Sequence, residues 1–116
     1  VYKRQQYNEL VSMLIRATKE QKIKWAELQN GYCTQINECP ITLRNYYDSS
    51  VGFSGYTLLL SNKEGKVFGT YDKAETIDGD EYNQLDLLFH VVRDSILHIT
   101  ASETSIMNGL KAILDI

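Results

Sequence analysis

The hydrophobic residues of this chain change their spacing twice, and this change constrains the fold more than any other feature of the sequence. Near the N terminus they follow the i, i+3, i+4 spacing of an amphipathic helix, in the middle they alternate, and towards the C terminus the helical spacing returns. The first segment predicts a helix from Lys3 to Glu20, which no proline or glycine interrupts. Its apolar face consists of Tyr7, Leu10, Val11, Leu14 and Ile15.

The middle of the chain predicts five short strands separated by turn residues. In the first of them Ile23 and Trp25 alternate with two lysines, and Asn30-Gly31 follows as a dipeptide typical of tight hairpins. Because the connections are short, the strands are expected to form an antiparallel meander. The other segments are strands at Tyr32–Ile36, Ile41–Tyr47, Tyr56–Ser61 and Val67–Tyr71, with a glycine- and serine-rich loop at Asp48–Gly55.

Two further helices are predicted after an acidic connector at residues 72–81. Asp80 is placed to cap a helix from Tyr82 to Ile99, and Thr100 and Glu103 have the spacing of a capping box at the start of the next helix. The expected buried face of that last helix consists of Ile106, Met107, Leu110, Ile113 and Leu114.

This order predicts an α+β fold for residues 1–116 as a single domain, with an N-terminal helix, a five-stranded antiparallel meander and two C-terminal helices. A sheet with one apolar face needs a cover, and the terminal helices have the apolar stripes to supply it, which gives a two-layer domain. The element order broadly resembles that of profilin-like proteins and of small bacterial proteins, a likeness that implies no function.

Charge, apolar runs and cysteine content bear on the partners and the location that the sequence predicts. The formal charge is −3 and the twelve lysines and arginines are scattered, which disfavours nucleic acid because phosphate contacts need a basic surface. No apolar run is long enough to span a membrane, and the first residues do not have the pattern of a signal peptide. We therefore expect a cytoplasmic protein in which Cys33 and Cys39 are reduced thiols; the alternative is a disulfide between them if the protein is secreted.

One polar pattern on the second predicted helix has the spacing of a metal or proton-transfer site. The residues Asp86, His90, Asp94 and His98 recur every fourth position, and so form a ladder along one side of the helix. Metal sites on helices usually need further ligands, and no zinc or calcium motif is present. We expect loose pairing on a solvated face, no metal, no cofactor and no catalytic residue, which makes an enzyme the less favoured class.

Apolar residues between the members of this ladder point to a partner. Leu87 and Val91 make the helix apolar around much of its circumference, which is typical of a helix covered on more than one side. Either the last helix or another chain is expected to supply that cover. A homodimer through one of these two helices is the interpretation that we prefer.

Aromatic residues offer a second candidate surface, because alternation divides them between the two faces of the sheet. Tyrosines on an open face can anchor a protein or stack on a flat ligand. Arg44 is expected on the face of Tyr46, where it could meet an anionic group. The predicted function is therefore a non-enzymatic protein-interaction module, such as an adaptor, immunity or chaperone-like protein; the alternative is a sensor that binds a small anionic or aromatic ligand with Arg44, Tyr46 and Tyr56.

Overall fold

A computed structural model of the chain describes residues 4–50, 52–75 and 78–116. The predicted α+β fold is confirmed, with one N-terminal helix, five antiparallel strands in a single open sheet and two C-terminal helices. The elements are α1 (Arg4–Lys19), β1 (Ala26–Leu28), β2 (Gly31–Ile36), β3 (Cys39–Asp48), β4 (Phe53–Ser61), β5 (Val67–Ala74), α2 (Gly79–Leu97) and α3 (Ile99–Leu114).

The sheet is a meander in the order β1-β2-β3-β4-β5, and α1 and α2 pack together on one of its faces. Alternate residues of each central strand point towards these helices, so that Leu43 and Leu58 lie opposite each other in the register and are both fully buried. From the helices, Val11, Leu85, Leu88 and Val92 complete the interior. The core therefore lies between two helices and one face of the sheet.

Trp25 fixes the end of α1 to the start of the sheet. The first strand was expected around Ile23 and Trp25, but this prediction is wrong, because β1 covers Ala26–Leu28. The Trp25 ring is buried and its Nε1–H donates a hydrogen bond of 3.0 Å to Oγ1 of Thr18, which in turn donates one of 2.7 Å to the Leu14 carbonyl. Burial of the ring against α1 thus outweighs the local alternation that suggested a strand.

The first hairpin turns one residue earlier than the sequence suggests. Leu28 pairs with Gly31, so the loop consists of Gln29 and Asn30, and Gly31 is the first residue of β2. A side chain at Gly31 would place its Cβ only 2.0 Å from the Leu43 carbonyl oxygen. Gly31 is therefore needed for the close approach of β3 rather than for the turn itself.

The later strands extend further than predicted, and the cap of α2 differs. β4 begins at Phe53, inside the predicted loop, and β5 continues to Ala74. The N-cap of α2 is Asp78 rather than Asp80, and its carboxylate accepts a hydrogen bond of 2.9 Å from the Ala74 N–H instead of from the helix. Three predicted details lie outside the described residues. They are Lys3 at the start of α1, the side chain of Ile99 at the predicted end of α2, and the side chain of Thr100, on which the Thr100–Glu103 capping box depends.

The described side chains of the last helix take no part in the two-layer core. The residues of α3 whose side chains are described are all exposed, so the prediction that its apolar face is buried within the chain is wrong. A single residue, His98, separates α3 from α2, and its backbone is in the left-handed conformation, with φ of 51°. The molecule consequently measures 58 × 37 × 26 Å, with a radius of gyration of 16.8 Å, against roughly 13 Å for a compact domain of this length.

Candidate functional site

The largest set of uncovered apolar side chains lies along one side of α3. Their exposed fractions run from 48% for Leu110 to 79% for Ile113. At 100° per residue these side chains occupy one sector of the helix, because they recur at helical spacing. We call this set the α3 stripe, and its members are Ile106, Met107, Leu110, Ile113 and Leu114.

A cleft of about 1040 Å³ lies where α3 leaves the rest of the molecule. Trp25, Val91 and Ile96 form part of its apolar lining. From α3 the cleft is lined by Ala101 and Thr104, which the helical geometry places on the side away from Leu110. The α3 stripe therefore faces away from the cleft.

The two predicted binding residues of α2 have different surroundings. Leu87 is exposed, whereas Val91 is half-buried, packs against the core and lines the cleft. The buried residues of α2 are instead Leu85, Leu88 and Val92. Only Leu87 of this pair is thus open to a second chain, and it lies on a different element from the α3 stripe.

The structure does not bring together the three residues of the predicted sheet-face site. Arg44 and Tyr46 lie on the uncovered face of the sheet, as the alternation of β3 requires. Tyr56 pairs with Asn45 in the register and points to the other face, where it is buried against α2. A ligand on the open face would therefore meet Arg44 and Tyr46 but not the Tyr56 ring.

Tyr46 is held in place on the open face by two neighbours. Its ring lies over Gly55, where an added Cβ would come within 2.3 Å of the ring, and its hydroxyl donates a hydrogen bond of 2.7 Å to Asp72. Burial, together with the Asp72 carboxylate, raises the pKa of Tyr46 to about 12. Tyr46 is therefore a positioned, neutral phenol whose hydroxyl is already bound within the protein.

The polar ladder of α2 is partly used to hold the helix to the sheet. The Tyr56 hydroxyl donates a hydrogen bond of 2.5 Å to the Asp86 carboxylate, and burial with this contact raises the pKa of Tyr56. Nδ1 of His90 lies 2.7 Å from the Asp86 carbonyl oxygen. Asp86 thus joins α2 to the sheet, a contact between two elements that the expected loose pairing on a solvated face did not include.

Sequence reasoning missed two parts of this arrangement. The tyrosine-to-carboxylate bonds join residues that are 26 and 30 positions apart, and no local pattern announces them. The isolation of α3 did have a signal: Glu103 lies on the same side of the helix as the α3 stripe, one helical turn before its first member. A charged residue there is unusual for a helix that is buried against its own domain.

Comparison with known proteins supplies no family for this chain. No protein-family model matches it, and neither a curated protein nor a solved structure matches it significantly. Within the described ranges, no helix has both the length and the apolar character that crossing a membrane requires. Among the same residues, no three His, Cys, Asp or Glu side chains are grouped as metal ligands would be.

Proposed function

We propose that the protein is a small, non-enzymatic protein-interaction module, and that the α3 stripe is the surface through which it binds. The observation that carries this proposal is the exposure of all five members of the stripe along one side of a single helix. Contiguous exposed apolar patches are rare on isolated proteins and mark sites of association.

The physical state of α3 supports the same proposal. α3 is a helix of 16 residues, and isolated helices of about this length are marginal in water because nucleation is costly. Most helical stability in proteins comes from packing of an apolar face, which α3 does not obtain from its own domain. Covering each half-exposed leucine, isoleucine or methionine contributes roughly 1 kcal/mol. A partner on the stripe would therefore both bind and order the helix.

The experiment is site-specific photo-crosslinking in cells of the source organism. A photoreactive phenylalanine analogue replaces Ile106 in the stripe, and in a matched control it replaces Asn108, which is also exposed but lies on the other side of α3. We expect protein adducts from position 106 and far fewer from position 108. Equal labelling from both positions, or none from position 106, would contradict the proposal.

A further inference from the structure

We propose that the partner of the α3 stripe is a second copy of this chain, with the two α3 helices packed antiparallel about a two-fold axis. This inference rests on the proposed function, because it names the occupant of the same surface. The charges of α3, its length and the direction in which its stripe faces support this arrangement.

The position of Glu103 requires a cation on the partner. On the helical wheel Glu103 falls between Leu110 and Leu114, so it lies in the same sector as the α3 stripe, one turn before Ile106. A carboxylate that is covered by another helix loses its hydration, and this is tolerated only where an opposite charge and hydrogen bonds replace the water. An uncharged apolar groove would therefore be a poor partner for this helix.

α3 itself carries the matching cation. Lys111 is the basic residue of the helix and borders the stripe next to Met107. It is eight residues from Glu103, which is about 12 Å along the same helix. The two side chains are thus separated within one chain but available to a second one.

Antiparallel packing brings these charges together. Full overlap of Ile99–Leu114 with its copy places the two-fold axis beside Ile106 and Met107, at the midpoint of the helix. Glu103 of one protomer then lies beside the partner's Lys111, and symmetry repeats the pair at the other end. A parallel arrangement would place Glu103 against the partner's Glu103, which is repulsive.

The geometry of the domain permits this packing. Ala101 and Thr104 face the cleft, and the stripe faces away from it, so the helix pair forms on the side of α3 that is turned away from the cleft. The two-fold axis makes the same patch serve both protomers, as isologous interfaces require. Neither the cleft nor the open face of the sheet needs to change for the dimer to form.

Charge reversal tests the pairing directly. We would measure the association of the purified protein by sedimentation equilibrium over a wide range of concentrations. The wild type is expected to dimerise, and Glu103→Lys and Lys111→Glu are each expected to weaken dimerisation about tenfold or more, because each places like charges together. The double variant restores opposite charges and should recover most of the affinity. Asn108→Lys, on the other side of α3, is the matched control and should have no effect.

Each outcome decides between the two proposals. A wild type that stays monomeric at every concentration would overturn self-pairing, whereas photo-crosslinking from position 106 to another protein would then leave the proposed function standing. Single variants that weaken the dimer without recovery in the double variant would overturn the antiparallel pairing of Glu103 with the partner's Lys111. Trp25 fluorescence, which reports on the core, verifies that every variant is folded.

Discussion

The helices α2 and α3 follow each other across a single residue, yet one is part of the core and the other is not. Leu85, Leu88 and Val92 of α2 are fully buried, whereas Leu110, the least exposed residue of the α3 stripe, is 48% exposed. Both helices have an apolar side of the kind that predicts burial. An apolar stripe therefore shows that a helix needs a covering surface, but it does not show which chain provides that surface.

Polar contacts add to this difference. Asp86 of α2 accepts the hydrogen bond from Tyr56, and Glu81 pairs with both Arg4 and Lys73, at 3.0 Å for the lysine. The Lys73 ammonium is the main cause of the lowered pKa of Glu81. These contacts join α2 to α1 and to two strands, and so fix its position as well as its burial.

The largest expected effect comes from truncating one leucine in each helix. Leu88→Ala should lower the free energy of unfolding by about 3 kcal/mol, because it leaves a cavity in a closed core. Leu110→Ala should change it by less than about 0.5 kcal/mol in dilute solution, where α3 is uncovered. Urea unfolding followed by Trp25 fluorescence measures both. Equal losses at low concentration would show that α3 packs on its own domain after all.

A smaller effect is expected from the contact that joins α2 to the sheet. Tyr56→Phe removes the hydroxyl that binds Asp86, and should cost about 1.5 kcal/mol, the lower end of the usual net value for a hydrogen bond to a charged group. Tyr47→Phe is the matched control, because Tyr47 is exposed on the neighbouring strand, and it should be neutral. The same urea titration distinguishes them. A neutral Tyr56→Phe would mean that burial alone holds α2 in place.

The smallest expected effect is the contribution of Tyr46, in the sheet, to the loss of stability at alkaline pH. The pKa of Tyr46 is raised to about 12 in the folded protein, against about 10 in an unfolded chain. The unfolded chain then releases this proton first, so the contribution of Tyr46 is complete below pH 10 and is lost as the pH rises towards 12. We expect well under about 1 kcal/mol over this interval, because solvent reaches part of the ring.

Urea titrations of the wild type and of Tyr46→Phe between pH 9 and about 12 measure this effect. The variant lacks the ionisable hydroxyl and should lose less stability over the interval than the wild type does. Tyr47→Phe, on the opposite face of the same strand, should follow the wild type. Identical curves for the wild type and Tyr46→Phe would show that burial and the Asp72 contact do not hold the phenol neutral.

Much of the fold was predictable from local pattern. The order of one helix, five strands and two helices follows from the period of the apolar residues, and the meander follows from short connections. The local errors occur where a distant contact decides. Trp25 leaves the strand pattern because Thr18 and α1 bury it, and Gly31 belongs to a strand because β3 approaches it.

The candidate site was less predictable for the same reason. Arg44 and Tyr46 share a face, as alternation requires, but only the strand register shows that Tyr56 lies on the other side of the sheet. The five residues of the α3 stripe were identified correctly as one apolar face. Their exposure could not be read from that face, since it depends on the direction that the chain takes after His98.

The sequence by itself determined which segments are helix or strand and which side of each is apolar, because these properties depend on the spacing of nearby residues. The tertiary structure decided which apolar faces meet. One face of the sheet has room for α1 and α2, and the left-handed turn at His98 directs α3 away from it. Covering a face requires two surfaces to meet in space, and spacing along the chain describes only one of them.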